Sequence, residues 1–215
     1  MWRTLDRRVS AYDSPMRMTV STRWRLAVAS AVLLAVALPV ASGAAAATRV
    51  HKVAVTVPGT IAIGDSVLLD AQGVLEQIMP GIDVDAVVSR QFSAGVPLVE
   101  SLRASHHLTD RFVVFLGTNG WISHSDFQTM LDELSVCGRV VLVTNWVPTR
   151  GWMAANNALI ESGAKAHNVV IANWAALAQT HPGWFYSDEV HLPIDGPGAT
   201  ALAHLIASAL TQRTR

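Results

Sequence analysis

TIAIGDSVLLDAQGVLEQIM, residues 60–79, is the stretch on which the reading of the chain turns. TIAIG is a short apolar run that meets Asp65-Ser66, and a helix-like apolar pattern follows at once over 66–79. The first part reads as a buried strand and the second as an amphipathic helix. A small polar tripeptide at that junction has two readings. It is a turn that contains a serine, or it is a nucleophile held at the end of a strand. The tripeptide alone does not decide between them.

The same alternation continues along the chain. IDVDAVVS (82–89), RFVVFLG (111–117), RVVLVT (139–144) and NVVIAN (168–173) join TIAIG (60–64) as strands, rich in Val and Ile and bounded by Gly, Asn or charge. The helical patterns are SVLLDAQGVLEQIM (66–79), AGVPLVESLRASHH (94–107), SDFQTMLDELSV (125–136), MAANNALIESGAKAH (153–167) and GPGATALAHLIASAL (196–210). Five strand–helix repeats predict parallel strands with helices on both faces. The strands read as nearly all apolar, as expected when both faces are covered. Ligands of such sheets bind beyond the carboxyl ends of the strands, where the strand order reverses. With the order 2-1-3-4-5, the loops after strands one and three flank that point. Those loops hold Gly64-Asp65-Ser66 and GTNG, residues 117–120.

The chain has 215 residues and no net charge, but the balance is uneven. Residues 1–47 hold six arginines against Asp6 and Asp13, a net +4; the remaining ten basic and fourteen acidic residues give 48–215 a net −4. A mildly acidic domain has no electrostatic footprint for nucleic acid. Residues 1–47 read as a leader. A basic flank, STRWR, precedes the apolar core Leu26–Val40, and Ala45 and Ala47 offer a small-residue cleavage pattern. An uncleaved membrane anchor is the rival reading, since the apolar stretch reaches Ala47. Either way the domain at 48–215 is expected outside the cytoplasmic membrane, secreted or anchored. Cys137 is the single cysteine, so no intramolecular disulfide or cysteine-based metal cluster is expected. No His, Asp and Glu spacing resembles a zinc site either, and no cofactor is implied.

A serine needs a base to take its proton and a third group to orient that base. YSDEVHLPIDG (186–196) supplies Asp188 and His191, three residues apart, just before the last helical pattern. This spacing places the carboxylate against one ring nitrogen and leaves the other for Ser66; the order Ser, Asp, His is one of several this chemistry tolerates. Asn119, in the loop after strand three, can donate its amide to a developing oxyanion, and the Ser66 N–H is a second donor. Trp121 and Trp146 follow strands three and four and are candidates to stack on a sugar ring. Packing at the domain edge is the other reading of these two tryptophans.

IGDSVLLD, VVFLGTNG and FYSDEVHLPIDG together resemble three conserved blocks of the SGNH, or GDSL-type, hydrolase superfamily. The likeness is closer to the extracytoplasmic SGNH domains of acyltransferase-3 and peptidoglycan O-acetyltransferase proteins, and spans about residues 58–210. It implies a three-layer α/β/α, flavodoxin-like fold with a five-stranded parallel sheet. It also implies Ser66 as nucleophile, Asp188 and His191 as its partners, and Asn119 in the oxyanion hole. Where the family has a glycine in its second block, DAVVSRQF puts Ser89. The backbone N–H survives that change, but a backbone conformation reserved for glycine would not suit serine.

The expected function is an exported serine esterase or acyltransferase without cofactor, acting on small acyl, O-acetyl, esters of a carbohydrate or cell-wall polymer. No multi-span domain precedes it in this sequence, so an acyl donor is expected from a membrane partner. The alternative is a non-catalytic carbohydrate-binding or accessory module on the same fold.

Overall fold

The computed structural model describes residues 59–212. The expected leader, 1–47, with both its signal-peptide and anchor readings, lies outside the described residues.

Five strands form one parallel sheet in the order β2-β1-β3-β4-β5: β1 (Thr60–Gly64), β2 (Ile82–Ala86), β3 (Arg111–Phe115), β4 (Arg139–Val143) and β5 (Val169–Ala172). The helices between and after them are α1 (Ser66–Ile78), α2 (Phe92–Ala104), α3 (His124–Leu134), α4 (Met153–Ser162), α5 (Trp174–Gln179) and α6 (Pro197–Thr211). Alternate residues of each central strand feed opposite cores, as the period of two requires. Ala62, Val113, Phe115, Val141 and Val143 pack with α1, α5 and α6. Ile61, Ile63, Phe112, Val114, Val140 and Leu142 pack with α2, α3 and α4. The result is a three-layer α/β/α arrangement around a five-stranded parallel sheet.

The structure corrects the sequence reading at β2. The strand stops at Ala86 rather than running to residue 89, and it is not apolar on both sides. Asp83 and Asp85 are exposed on this edge strand, where charge discourages pairing with another chain. Val87 and Val88 extend the apolar pattern but enter a turn closed by the Arg90 N–H donating to the Val87 carbonyl. The short helix α5 was not expected; WAALAQ (174–179) starts on Asn173, whose side chain accepts from the Ala176 N–H.

Helix α1 shows how a local signal places the site. Asp65 is its N-cap, and the carboxylate accepts from the Val67 N–H at 3.1 Å, satisfying one of the helix's otherwise unpaired donors. Val67, Leu68, Ala71, Val74 and Leu75 form its buried stripe, each large side chain contributing about 1.5–3 kcal/mol by leaving water. Gly64 lies so close beneath this turn that a Cβ there would collide with Leu68. The strand therefore passes into the helix in a single residue, and Ser66 stands at the first position of α1.

Candidate active site

Ser66 lies at the carboxyl end of β1, at the helix start. Its Oγ is 2.9 Å from His191 Nε2, and His191 Nδ1 is 2.7 Å from Asp188 Oδ2. The three side chains form one hydrogen-bonded line. With the ring proton on Nδ1 donated to the carboxylate, Nε2 keeps a lone pair for the serine hydroxyl.

The loop that presents His191 is held from two sides. Asp188 Oδ1 accepts the N–H groups of Val190 at 2.9 Å and His191 at 3.0 Å, folding the loop around its own carboxylate. Asp70, one turn beyond Ser66 in α1, accepts the Leu192 N–H at 2.9 Å, and Leu192 is fully buried. Burial acts to raise the Asp188 pKa, but hydrogen bonds from the His191 ring and from the two N–H groups outweigh it and hold the carboxyl below its usual range. Asp70 is pushed up by burial, against the Leu192 N–H and the His191 charge.

Asn119 and Ser89 meet around Arg90. The Asn119 Nδ2 points to the Arg90 carbonyl at 3.4 Å, and the Asn119 carbonyl accepts from Gln91 Nε2 at 2.7 Å. Arg90 donates to the Gly64 carbonyl at 3.2 Å and pairs with Asp85 at 2.7 Å, so this loop is fastened to the strand end that carries Ser66. Ser89 has φ +61°, the left-handed region that a glycine would occupy without strain.

Thr118, Asn119, Val147, Thr149, Arg150, Trp152, Asp188, Val190 and His191 line a hollow of about 340 Å³ beside the triad. Trp121 and Trp146, the sugar-stacking candidates, are not in this lining. Trp121 is 66% exposed and borders a separate hollow with His124 and Leu159. Trp146 packs on Phe185, ring centroids 6.5 Å apart. The aromatic wall is Trp152, whose Nε1 donates to the Thr118 carbonyl at 3.2 Å. Spacing could not choose it, because which tryptophan faces the site is settled by how the loop before α4 folds.

Further buried polar groups support the site without reaching it by any sequence signal. Asn156 of α4 is 1% exposed and binds the loop after β3 three times. Its Nδ2 donates to the carbonyls of Gly117 at 3.0 Å and Gly120 at 2.8 Å, and its Oδ1 accepts the Ile122 N–H at 2.9 Å. Gly117, at φ +117°, admits no side chain: a Cβ would lie 2.7 Å from Asn145 Nδ2. Asp65 is fully buried. Thr118 gives its hydroxyl proton to Asn145 Oδ1 at 3.1 Å, and Asp65 Oδ2 has no hydrogen-bond partner. Burial pushes the Asp65 carboxyl up to about 6, with the polar groups of Thr118, the Val67 N–H and the His191 charge holding it from rising further.

Among the described residues, no group of three or more His, Cys, Asp or Glu side chains is placed to hold a metal ion. Cys137 is buried, which pushes its thiol up to about 11 and leaves it unreactive at neutral pH.

The parallel α/β/α sheet and the serine at the helix start after β1 are features shared with the SGNH-type hydrolases, and the proteins the chain is similar to in sequence and fold are of that class. Within that class its relatives include peptidoglycan O-acetyltransferases. OatA of Listeria monocytogenes, a peptidoglycan O-acetyltransferase, is 29% identical over 153 residues, 71% of this chain and 24% of OatA. YrhL of Bacillus subtilis is 33% identical over 163 residues, 75% of this chain and 25% of YrhL. The chain thus spans about a quarter of the length of the curated relatives it matches. The C-terminal catalytic domain of OatA from Streptococcus pneumoniae, solved with a methylsulfonyl adduct, superimposes with a TM-score of 0.62 at 26% identity, over 72% of this chain and 93% of that domain. A Geobacillus acetyl-xylooligosaccharide esterase shares the fold, at TM-score 0.54 and 14% identity. No protein-family model matches the chain.

Proposed function

We propose that this domain is an exported serine esterase or O-acyltransferase that acts on O-acetyl esters of a cell-wall carbohydrate. The observation that carries the reading is the hydrogen-bonded line Ser66–His191–Asp188 at 2.9 and 2.7 Å. Relatives named as peptidoglycan O-acetyltransferases favour the acetyl group and the cell-wall substrate.

In this mechanism Ser66 Oγ attacks the ester carbonyl carbon while its proton passes to His191 Nε2. Asp188 keeps the imidazole oriented and stabilises the charge it gains. The carbonyl oxygen becomes an oxyanion held by the Asn119 amide and the N–H groups of Ser66 and Ser89. Collapse breaks the bond to the sugar oxygen, which leaves with the proton from His191, and an acetyl group remains on Ser66. Water then attacks the acyl-enzyme in hydrolysis, or an acceptor hydroxyl does so in transfer. His191 takes the attacker's proton and returns one to Ser66. A membrane partner would supply the donor for transfer. Residues 1–47 would serve as signal peptide or anchor.

The test follows acetate release from an O-acetylated cell-wall polymer and from a chromogenic acetate ester. Ser66→Ala and His191→Ala should each remove nearly all turnover, and the double variant should lose little more, because the residues act as one unit. Retention of more than about a tenth of the activity in Ser66→Ala would sink the assignment.

The strained backbone at Ser89 favours a second reading, a binding module that has lost turnover. Fluorophosphonate labelling separates the two, since an unactivated serine does not react.

A further inference from the structure

The hollow beside the triad contains two side chains that are charged at neutral pH, Arg150 and Asp188. Asp188 is occupied by the His191 ring and two backbone N–H groups. Arg150 is not matched in this way. Arg90 pairs with Asp85 and Arg103 with Glu133, whereas no ion pair among the described residues involves Arg150. Its guanidinium carbon instead lies 5.7 Å from the centroid of the Trp152 ring. Trp152 is tied in turn to the Thr118 carbonyl, next to Asn119.

This contact biases an exposed arginine toward the Trp152 face. A guanidinium stacked on an aromatic face keeps its edge, with its forked N–H donors, available to a ligand. That fork matches the two oxygens of a carboxylate. The charge is also out of keeping with its surroundings. Residues 48–215 carry ten basic and fourteen acidic side chains, a field that repels anions at long range. Arg150 lines the hollow of the ester site without a carboxylate partner among the described residues.

We infer that Arg150 binds a carboxylate carried by the acyl-bearing sugar, and so makes the site prefer acidic over neutral carbohydrate. The inference rests on the reading of this hollow as the ester-binding site. Asp188 stands in the same lining and bears the opposite charge, so the bound carboxylate must lie on the Arg150–Trp152 side.

The experiment compares methyl glucuronide, methyl glucoside and glucose 6-phosphate for binding by ligand-observed NMR, and then the mono-acetylated glucuronide and glucoside as substrates. The wild-type chain is set beside Arg150→Gln and Arg150→Lys. The readout is the ratio of acidic to neutral sugar within each protein, which cancels any general loss from poor folding. The expected ratio favours the glucuronide about three- to tenfold, the range of a single charge-assisted contact at an exposed rim. It should shrink in high salt, fall to about one in Arg150→Gln and be restored only in part by lysine, which lacks the fork. Equal binding of acidic and neutral sugar by the wild type overturns the proposal, as does a preference that survives Arg150→Gln. Tighter Arg150-dependent binding of the phosphate overturns the assignment to a carboxylate. If the Arg150-dependent preference holds but neither ester is cleaved, the esterase reading falls and the anion-binding assignment stands.

Discussion

Asp70 accepts the Leu192 N–H at 2.9 Å, so the helix that begins with Ser66 also grips the residue that follows His191. One rigid element thereby sets both ends of the serine–histidine hydrogen bond. The prediction is that Asp70→Ala lowers kcat about tenfold to a hundredfold, the cost of a displacement near 1 Å at a reacting group. The stability loss should be only about 1–3 kcal/mol, that of one unpaired N–H. Asp70→Asn keeps an acceptor oxygen and should retain most of the activity. Steady-state kinetics beside thermal melts give the answer, and an unchanged kcat in Asp70→Ala would show that the loop holds His191 without help.

Asp65 and Asp188 shift in opposite directions, and their effects on stability fall in different pH windows. The Asp188 carboxyl is lowered, so its contribution is present above its unfolded pKa and is lost as pH falls through the lower folded value. Asp65 is raised from 3.8 to about 6. Its contribution is therefore full below the unfolded value and is lost as pH rises through about 6. Asp65→Asn preserves an acceptor for the Val67 N–H and removes the titration. The melting temperature of the variant should gain on the wild type as pH increases from 4 to 7. A difference between the two proteins that stays constant across that range would mean Asp65 does not titrate there.

Ser89 stands at φ +61° where the resembling family has glycine. A left-handed conformation costs an ordinary L-residue roughly 1–2 kcal/mol, offset in part by the greater freedom that glycine has when unfolded. Ser89→Gly is expected to raise stability slightly, by less than about 1 kcal/mol. Ser89→Ala keeps the backbone N–H and should change kcat less than about threefold, the reading being that the N–H and not the hydroxyl faces the oxyanion. Chemical denaturation and ester hydrolysis measure both. A severe loss in Ser89→Ala would assign a role to the hydroxyl.

The sequence revealed those parts of the molecule whose cause is local. TIAIG, RFVVFLG and RVVLVT announce strands because both faces of a central parallel strand are buried. Ser66 and Asn119 draw notice by their place after strands one and three, and Asp188 and His191 by their spacing in the loop before the last helix. Where the cause is tertiary, the signal is missing. Val87 and Val88 look like a continuation of β2 yet are 49% and 63% exposed, and the turn that removes them from the sheet uses a serine where a glycine would have marked it. Trp152 is indistinguishable in sequence from Trp121 and Trp146, since only the folded loop decides which ring faces the hollow. Asp70 and Asn156 read as ordinary polar residues of helices, and their partners lie 122 and up to 39 positions away.

Asn156 gives the sharpest test of that last kind of residue. It is buried in α4 and binds the loop after β3 at Gly117, Gly120 and Ile122, the segment that contains Asn119. Three hydrogen bonds from one side chain leave that loop little freedom, and an oxyanion donor is useful only if it stays where the charge develops. Asn156→Ala strips all three bonds and leaves buried backbone groups unpaired, at about 1–3 kcal/mol for each group, so it risks simple unfolding. Asn156→Asp is the better variant. It has nearly the same shape and still accepts the Ile122 N–H, and, kept protonated by burial, it donates to only one of the Gly117 and Gly120 carbonyls. The expected result is a folded protein whose kcat falls about tenfold or more, with KM for a small acetate ester little changed, because the lost interaction matters in the transition state. Combining it with Asn119→Ala should add little further loss, since both changes remove the same donor from its place. Full additivity of the two losses, in folded proteins, would show that Asn156 acts on stability alone and leaves Asn119 where it was.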